Sequence, residues 1–194
     1  MSTTLEAPAK RPSEARERLL RTASELFYRE GIHSVGVDRI VAEAQVTRAT
    51  FYRHFPGKEE LVQAYLERED AGIRSMFAGA APLASSPEQL LDLAIRGIAD
   101  DVARNHTRGC PFINASAEYP DPQSPVRVTV REHRAWFHDT LETALVAAGR
   151  ADAAEKARAL VLLRDAALVG GYLDGASAIT PTFVRTARTI AQLD

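Results

Sequence analysis

The stretch from Val37 to Lys58, VDRIVAEAQVTRATFYRHFPGK, constrains the fold more than any other part of the chain, because it spells two short helices joined by a tight turn. Ile40, Val41 and Ala44 share an apolar face of a helix running from about Val37 to Ala44, and Gly36 stands where its N-cap belongs. Gln45 and Val46 make the turn. Thr47 is a good N-cap for the second helix, since its hydroxyl can accept a hydrogen bond from the backbone N–H of Ala49 or Thr50. Phe51 and Phe55, four positions apart, share one face of that helix and point to a core. With about 100° of rotation per residue, Ala49 and Arg53 then point outward, with Thr50 and His54 on one flank and Arg48 and Tyr52 on the other. The outward arc is small, polar or cationic throughout.

Such an arc suits the major groove of DNA, whose width of about 12 Å admits one helix. Arginine can bond a guanine edge with two N–H groups, and a small residue such as Ala49 allows close approach. Arg48, at the start of the helix, is the expected base reader. Thr50 can meet a base or a thymine methyl, while Tyr52 and His54 suit phosphate oxygens. Pro56-Gly57 stops the helix, and Lys58 opens another, setting a cation beside free helix-start N–H groups. A small helical hairpin with a solvated charged face would have the same spacing, so the pattern alone leaves both readings open.

A resemblance narrows the choice. The helix expected at Glu14 to Glu30, the segment GIHSVGVDRIVAEAQVTRATFYRHFPGKEELVQAYLE and the helical remainder together resemble the TetR family of bacterial one-component transcriptional regulators. The match runs from Ser13 to Leu66, and FYRHFPGKEEL is its most specific part. The resemblance implies that the helix starting at Thr47 enters the groove. It assigns DNA contacts to Thr47, Arg48, Ala49, Thr50, Tyr52, Arg53, His54 and Lys58. Two positions depart from the family pattern: Val41 stands where a small alanine is usual, and Gln45 where the turn usually has glycine. Gln45 is therefore expected in a left-handed conformation at a modest cost.

With 45% hydrophobic and 26% charged residues, the chain has a globular composition rather than a disordered one. No stretch approaches the roughly 20 apolar residues that span a bilayer, and the first residues lack the apolar core of a signal peptide. One cysteine excludes an intrachain disulfide. A cytoplasmic protein with no membrane partner is expected. The net charge of −2 hides an asymmetry: residues 8–58 hold ten Lys and Arg against six Asp and Glu, and residues 61–194 hold fourteen against seventeen. Only the front of the chain is suited to phosphate. Lys10 and Arg11 in the tail could track a groove, or merely solubilise the chain.

Beyond Lys58 the periodicity is helical throughout, so the expected fold is all-α. A flexible arm at residues 1–12 precedes a three-helix helix-turn-helix DNA-binding domain at 13–57 and a larger helical effector-binding and dimerisation domain at 58–194. Helices are expected from Lys58 to about Ala78, Pro87 to Asn105, Phe112 to Glu118, Pro125 to Ala148, Asp152 to Ala176 and Pro181 to Leu193. The apolar surface of the last two is too broad for helices covering one side of a core. The resemblance implies a homodimer in which residues 152–176 and 181–193 pack into a four-helix bundle across a two-fold axis. Gly170-Gly171 would allow close approach at a crossing.

The segment from Arg108 to Pro122, RGCPFINASAEYPDP, resembles one found in a subset of TetR-like regulators. Cys110, Phe112, Ile113, Asn114, Tyr119, Trp136 and Phe137 are the candidate lining of an effector cavity, with ordinary core packing as the alternative. His106 and Asp121 could orient a ligand only if they point inward. Cys110 also suggests a redox-sensing thiol stabilised by nearby Arg108, or, with His106, His133 or His138, a metal site or nucleophile. HTRGC lacks tight metal-ligand spacing, and no Ser-His-Asp or paired-carboxylate signature is present. The expectation is a regulator and not an enzyme, with no cofactor and no metal. It would act as a homodimeric repressor on a palindromic duplex operator and be released by a small-molecule effector.

Overall fold

The computed structural model describes residues 13–193, which form α-helices and one 3-10 turn with no strand among them. The tail at residues 1–12 lies outside the described residues. The chain divides into two compact units, the first ending at Leu61 and the second beginning at Val62.

Three helices make the first unit: α1 (Glu14–Glu30), α2 (Val37–Glu43) and α3 (Arg48–His54). Ser13 caps α1 by accepting a hydrogen bond from the Arg16 N–H at 3.2 Å, and Glu14 and Glu17 sit in the first turn, where the helix dipole favours acids. Leu19, Leu20, Ala23, Leu26 and Phe27 bury one stripe of α1. Against it pack Ile40 and Val41 from α2 and Phe51 from α3. Arg39 ties α2 back to α1 through Glu30, with one bond at 2.9 Å, and also holds Glu43 at 2.8 Å. Hydrogen bonds from Arg39 and then Arg29 hold the Glu30 carboxyl down at about 2.

The second unit is built from α4 (Lys58–Ala80), whose first turn precedes the unit boundary, a 3-10 turn at Ala81–Leu83, α5 (Pro87–Arg104), α6 (Pro111–Glu118), α7 (Pro125–Ala147), α8 (Ala153–Asp174) and α9 (Ala176–Ala191). Proline opens α5, α6 and α7, where its missing N–H costs nothing, and the Ser86 and Ser124 hydroxyls cap α5 and α7. α8 packs on α7 and α9, and α9 on α5. Arg134 and Asp165 pair across α7 and α8 at 2.8 Å, and Arg188 of α9 pairs with Asp92 of α5. Gly171 permits a close approach of α8 to α5, because a Cβ there would stand 2.6 Å from Val102 Cγ1. This crossing and the Gly170 contact with Ile179 both lie within one subunit.

The last helix corrects an expectation. It begins at Ala176, not Pro181, and carries Pro181 in its interior. Gly175, at φ 88°, ends α8 and already redirects the chain, so helical geometry resumes before the proline is reached. Pro181 then forfeits one backbone bond without breaking the helix. The apolar surface is also distributed unequally. On α9, Phe183, Ala187 and Ala191 are buried in their own unit, whereas α8 leaves Leu162, Val169, Tyr172 and Leu173 exposed. Among the described residues no helix is long and apolar enough to cross a membrane.

Candidate functional site

α3 sorts its residues by side. Phe51 and Phe55 are buried, with rings 6.1 Å apart, and they fix the helix to the unit's core. Thr47, Arg48, Ala49, Tyr52 and Arg53 are exposed, while Thr50 and His54 are half-buried. The Thr47 hydroxyl accepts the Thr50 N–H at 3.1 Å and lies 2.9 Å from the Thr50 hydroxyl, so the N-cap also orients the Thr50 side chain. Gln45 supplies the turn at φ 53°, the left-handed conformation for which the family pattern uses glycine. Val41 is buried at 8% exposure, so its extra bulk is taken into the core.

The cations of this unit differ in how they are held. Arg48 is ion-paired with Asp38 of α2, both side chains largely exposed, and the carboxylate hydrogen bond raises its pKa. The His54 ring lies 3.0 Å from the Ser13 hydroxyl, which connects the end of α3 to the start of α1. Arg16 lies over the Phe55 ring at 5.1 Å, and Lys58 over Phe27 at 5.9 Å. Arg53 is exposed beside Tyr52.

The second unit holds a cavity of about 610 Å³ walled by α4, α5, α7 and α8. Its lining is largely apolar, with Phe77, Leu93, Ile98, Trp136, Phe137 and Leu141 prominent. Phe77 meets Trp136 edge to face at 5.8 Å and Phe137 at 5.6 Å. Four charged side chains reach the wall: Arg74, Asp101, Asp139 and Arg164. A more open depression of about 750 Å³ is lined by Phe112 and Ile113 together with Arg127, Arg131, Arg134 and Arg158.

The seven residues expected to line one cavity are thus divided. Trp136 and Phe137 do line the 610 Å³ cavity, while Phe112 and Ile113 face the other depression. Cys110, Asn114 and Tyr119 are not in the lining of either. Cys110 ends the loop before α6 and is buried at 1% exposure, and Asn114 spends its amide on the Arg108 carbonyl at 3.2 Å. The Arg164 guanidinium stands beside Cys110, with Nη1 3.8 Å from Sγ. Cys110 also lies outside the trio His138, Asp139 and Glu142, the one group of potential metal ligands among the described residues. Asp121 is exposed and accepts the Gln123 N–H at 2.8 Å, so it shapes the loop.

Two histidines brace the walls in different protonation states, His106 cationic and His133 neutral near pH 7. His106 is clasped by Asp101 at 2.7 Å and Glu69 at 3.2 Å. Burial alone would lower its pKa, but the two carboxylates outweigh it and lift the ring to about 9. His133 stacks on Phe112 at 3.7 Å and meets Asp70 at 2.7 Å, yet burial, aided by Arg164 and Arg74, holds it down at about 4. Sequence reasoning missed Arg164. Its signal was available: Ala157, Leu160, Val161, Arg164, Ala167 and Leu168 form the buried stripe of α8, and the stripe contains one cation.

Comparison with known proteins identifies this arrangement. Residues 19–65 match the family described as bacterial regulatory proteins, tetR family. The crystal structure of a TetR-family transcriptional regulator from Streptomyces coelicolor is similar over 92% of this chain and 95% of that one, with 46% sequence identity and a TM-score of 0.89. The chain belongs to the TetR family. Among curated relatives, the HTH-type transcriptional activator FasR of Mycolicibacterium smegmatis is 31% identical over 60% of this chain, and YxaF of Bacillus subtilis, an HTH-type transcriptional regulator, is 27% identical over 63% of it. The chain spans 53% and 66% of those two relatives' lengths. TetR-family membership makes the chain a DNA-binding regulator of transcription, and α2, the Gln45 turn and α3 form its helix-turn-helix.

Proposed function

We propose that this TetR-family protein acts as a homodimeric repressor, reading a palindromic operator with Thr47, Arg48, Ala49, Thr50, Tyr52, Arg53, His54 and Lys58, and released by a small molecule entering the second unit. The observation that carries the reading is the face of α3 opposite Phe51 and Phe55, where Arg48, Ala49, Tyr52 and Arg53 are open to solvent. A cationic, closely approachable helix face is what groove recognition requires. Dimerisation is supported by Leu162, Val169, Tyr172 and Leu173, which leave α8 with an exposed apolar row that a second copy would cover. Two-fold symmetry would set the reading helices about 34 Å apart, one turn of DNA.

The cavity supports the effector part of the reading, since about 300–1,000 Å³ with apolar walls and few polar groups is the usual form of a ligand site. Ile73, Arg74 and Phe77 on its wall belong to α4, the helix that begins directly after the recognition helix and its Pro56-Gly57 stop. A ligand that shifts α4 changes the spacing of the two reading helices. A preference of about 3 kcal/mol for the splayed state weakens operator binding roughly a hundredfold. The experiment is a reconstituted transcription assay on a template carrying the bound sequence within its promoter. Added protein should suppress transcript; an increase instead would make the protein an activator, as FasR is named. Leu173→Glu should convert a sedimenting dimer to monomer and weaken operator binding, and an unchanged dimer would remove α8 from the interface.

A further inference from the structure

Among the four charged side chains at the 610 Å³ cavity, three are accounted for. Arg74 bonds Asp70 at 2.6 Å and covers the Trp136 ring at 4.2 Å, Asp101 holds His106 at 2.7 Å, and exposed Asp139 meets His138 at 3.1 Å. Arg164 is different. It is 3% exposed, its Nη1 reaches Asp165 only at 3.5 Å, and no described residue accepts a hydrogen bond from its Nη2. Asp165 gives its other oxygen to Arg134 at 2.8 Å, so one carboxylate is divided between two guanidinium groups. Arg164 also meets the Cys110 sulfur, 3.8 Å from Nη1, and the Phe137 ring, 4.8 Å from Cζ.

A buried guanidinium with an unused donor carries a large desolvation cost that an anion would offset, and a charged hydrogen bond in such surroundings is strong. The rest of the wall offers aromatic and aliphatic contact. We propose that the cavity takes an organic acid, a single carboxylate on an apolar aryl or medium-chain body, with Arg164 receiving the carboxylate and Phe77, Trp136 and Phe137 holding the body. Arg164 thereby sets ligand class by rejecting the neutral analogue. This rests on the reading of the cavity as the effector site and adds the chemistry of the effector.

Trp136 is the chain's one tryptophan and stands on the cavity wall, so its fluorescence reports occupancy. The full-length protein is titrated with decanoate and with 4-phenylbutyrate, each against its primary amide. Each acid should bind about tenfold or more tightly than its amide, and Arg164→Met should abolish that preference while leaving the amide's affinity nearly unchanged. Equal binding of acid and amide to the wild-type protein overturns the assignment to Arg164 and leaves the cavity reading standing. No change in Trp136 emission with any of the four probes removes both. If Arg164→Met fails to fold, as circular dichroism would show, the wild-type comparison of acid with amide still decides.

Discussion

Arg48, the proposed base reader, is already paired with Asp38 in the free protein, so groove binding exchanges one acceptor for another. On that reading Arg48→Ala should cost about 1–3 kcal/mol on the cognate site and relax preference at one operator position. Lys58→Ala should weaken all sequences alike and lower the salt dependence; equal losses for both variants on cognate and random duplex in a binding titration would remove Arg48 from base reading. Asp38→Asn frees the guanidinium and deletes a negative charge from the basic unit. Affinity for random DNA should then rise by about fivefold or less, as suits an exposed ion pair. A fall in affinity would mean that the pair presents Arg48 correctly rather than restraining it.

At the scale of elements, the helix-turn-helix was largely legible because its signals are local: the Thr47 cap, the Phe51 and Phe55 pair and the Pro56-Gly57 stop each act within a few residues. Gln45 was legible through the family pattern, and its φ of 53° agrees with the expectation. The start of α9 was not, because Gly175 and Pro181 are both punctuation and only tertiary packing ranks them. The cavity was half legible. Trp136 and Phe137 announce an apolar site, whereas Arg164 was overlooked as a lone cation within the apolar stripe of α8, which the structure buries against the cavity. Helix crossings make their own prediction. Gly171→Ala gains about 1 kcal/mol of helix propensity but drives a Cβ to within 2.6 Å of the stiff, buried Val102 side chain. Overpacking of about 1–3 kcal/mol outweighs the gain, so urea unfolding should show a net loss. Gly72→Ala, with open space around it, should show a gain instead.

The whole molecule should report its two braced histidines in its pH profile. His106 titrates at about 9 in the fold against 6.5 ordinarily, so its contribution is full below pH 6.5 and is lost as pH rises through 9. His133 titrates at about 4, so its contribution is present above pH 6.5 and is lost as pH falls from there through 4. From these two groups, stability measured by urea unfolding should peak near pH 6.5, and His106→Gln should flatten the alkaline limb. An alkaline limb unchanged in that variant would assign the loss to other groups.

Charge divides along the chain, with the basic surplus at residues 8–58 and the acidic surplus at residues 61–194, as the proposed division of function requires. The proposed dimer would meet DNA at two places related by symmetry. Selection of bound sequences from a pool of random duplexes, using the full-length protein, measures this most directly. The account predicts enrichment of an inverted repeat whose half-sites lie about one helical turn apart, with enrichment lost in Arg48→Ala at one position of each half-site. Recovery of no sequence preference, even at low salt, would contradict it.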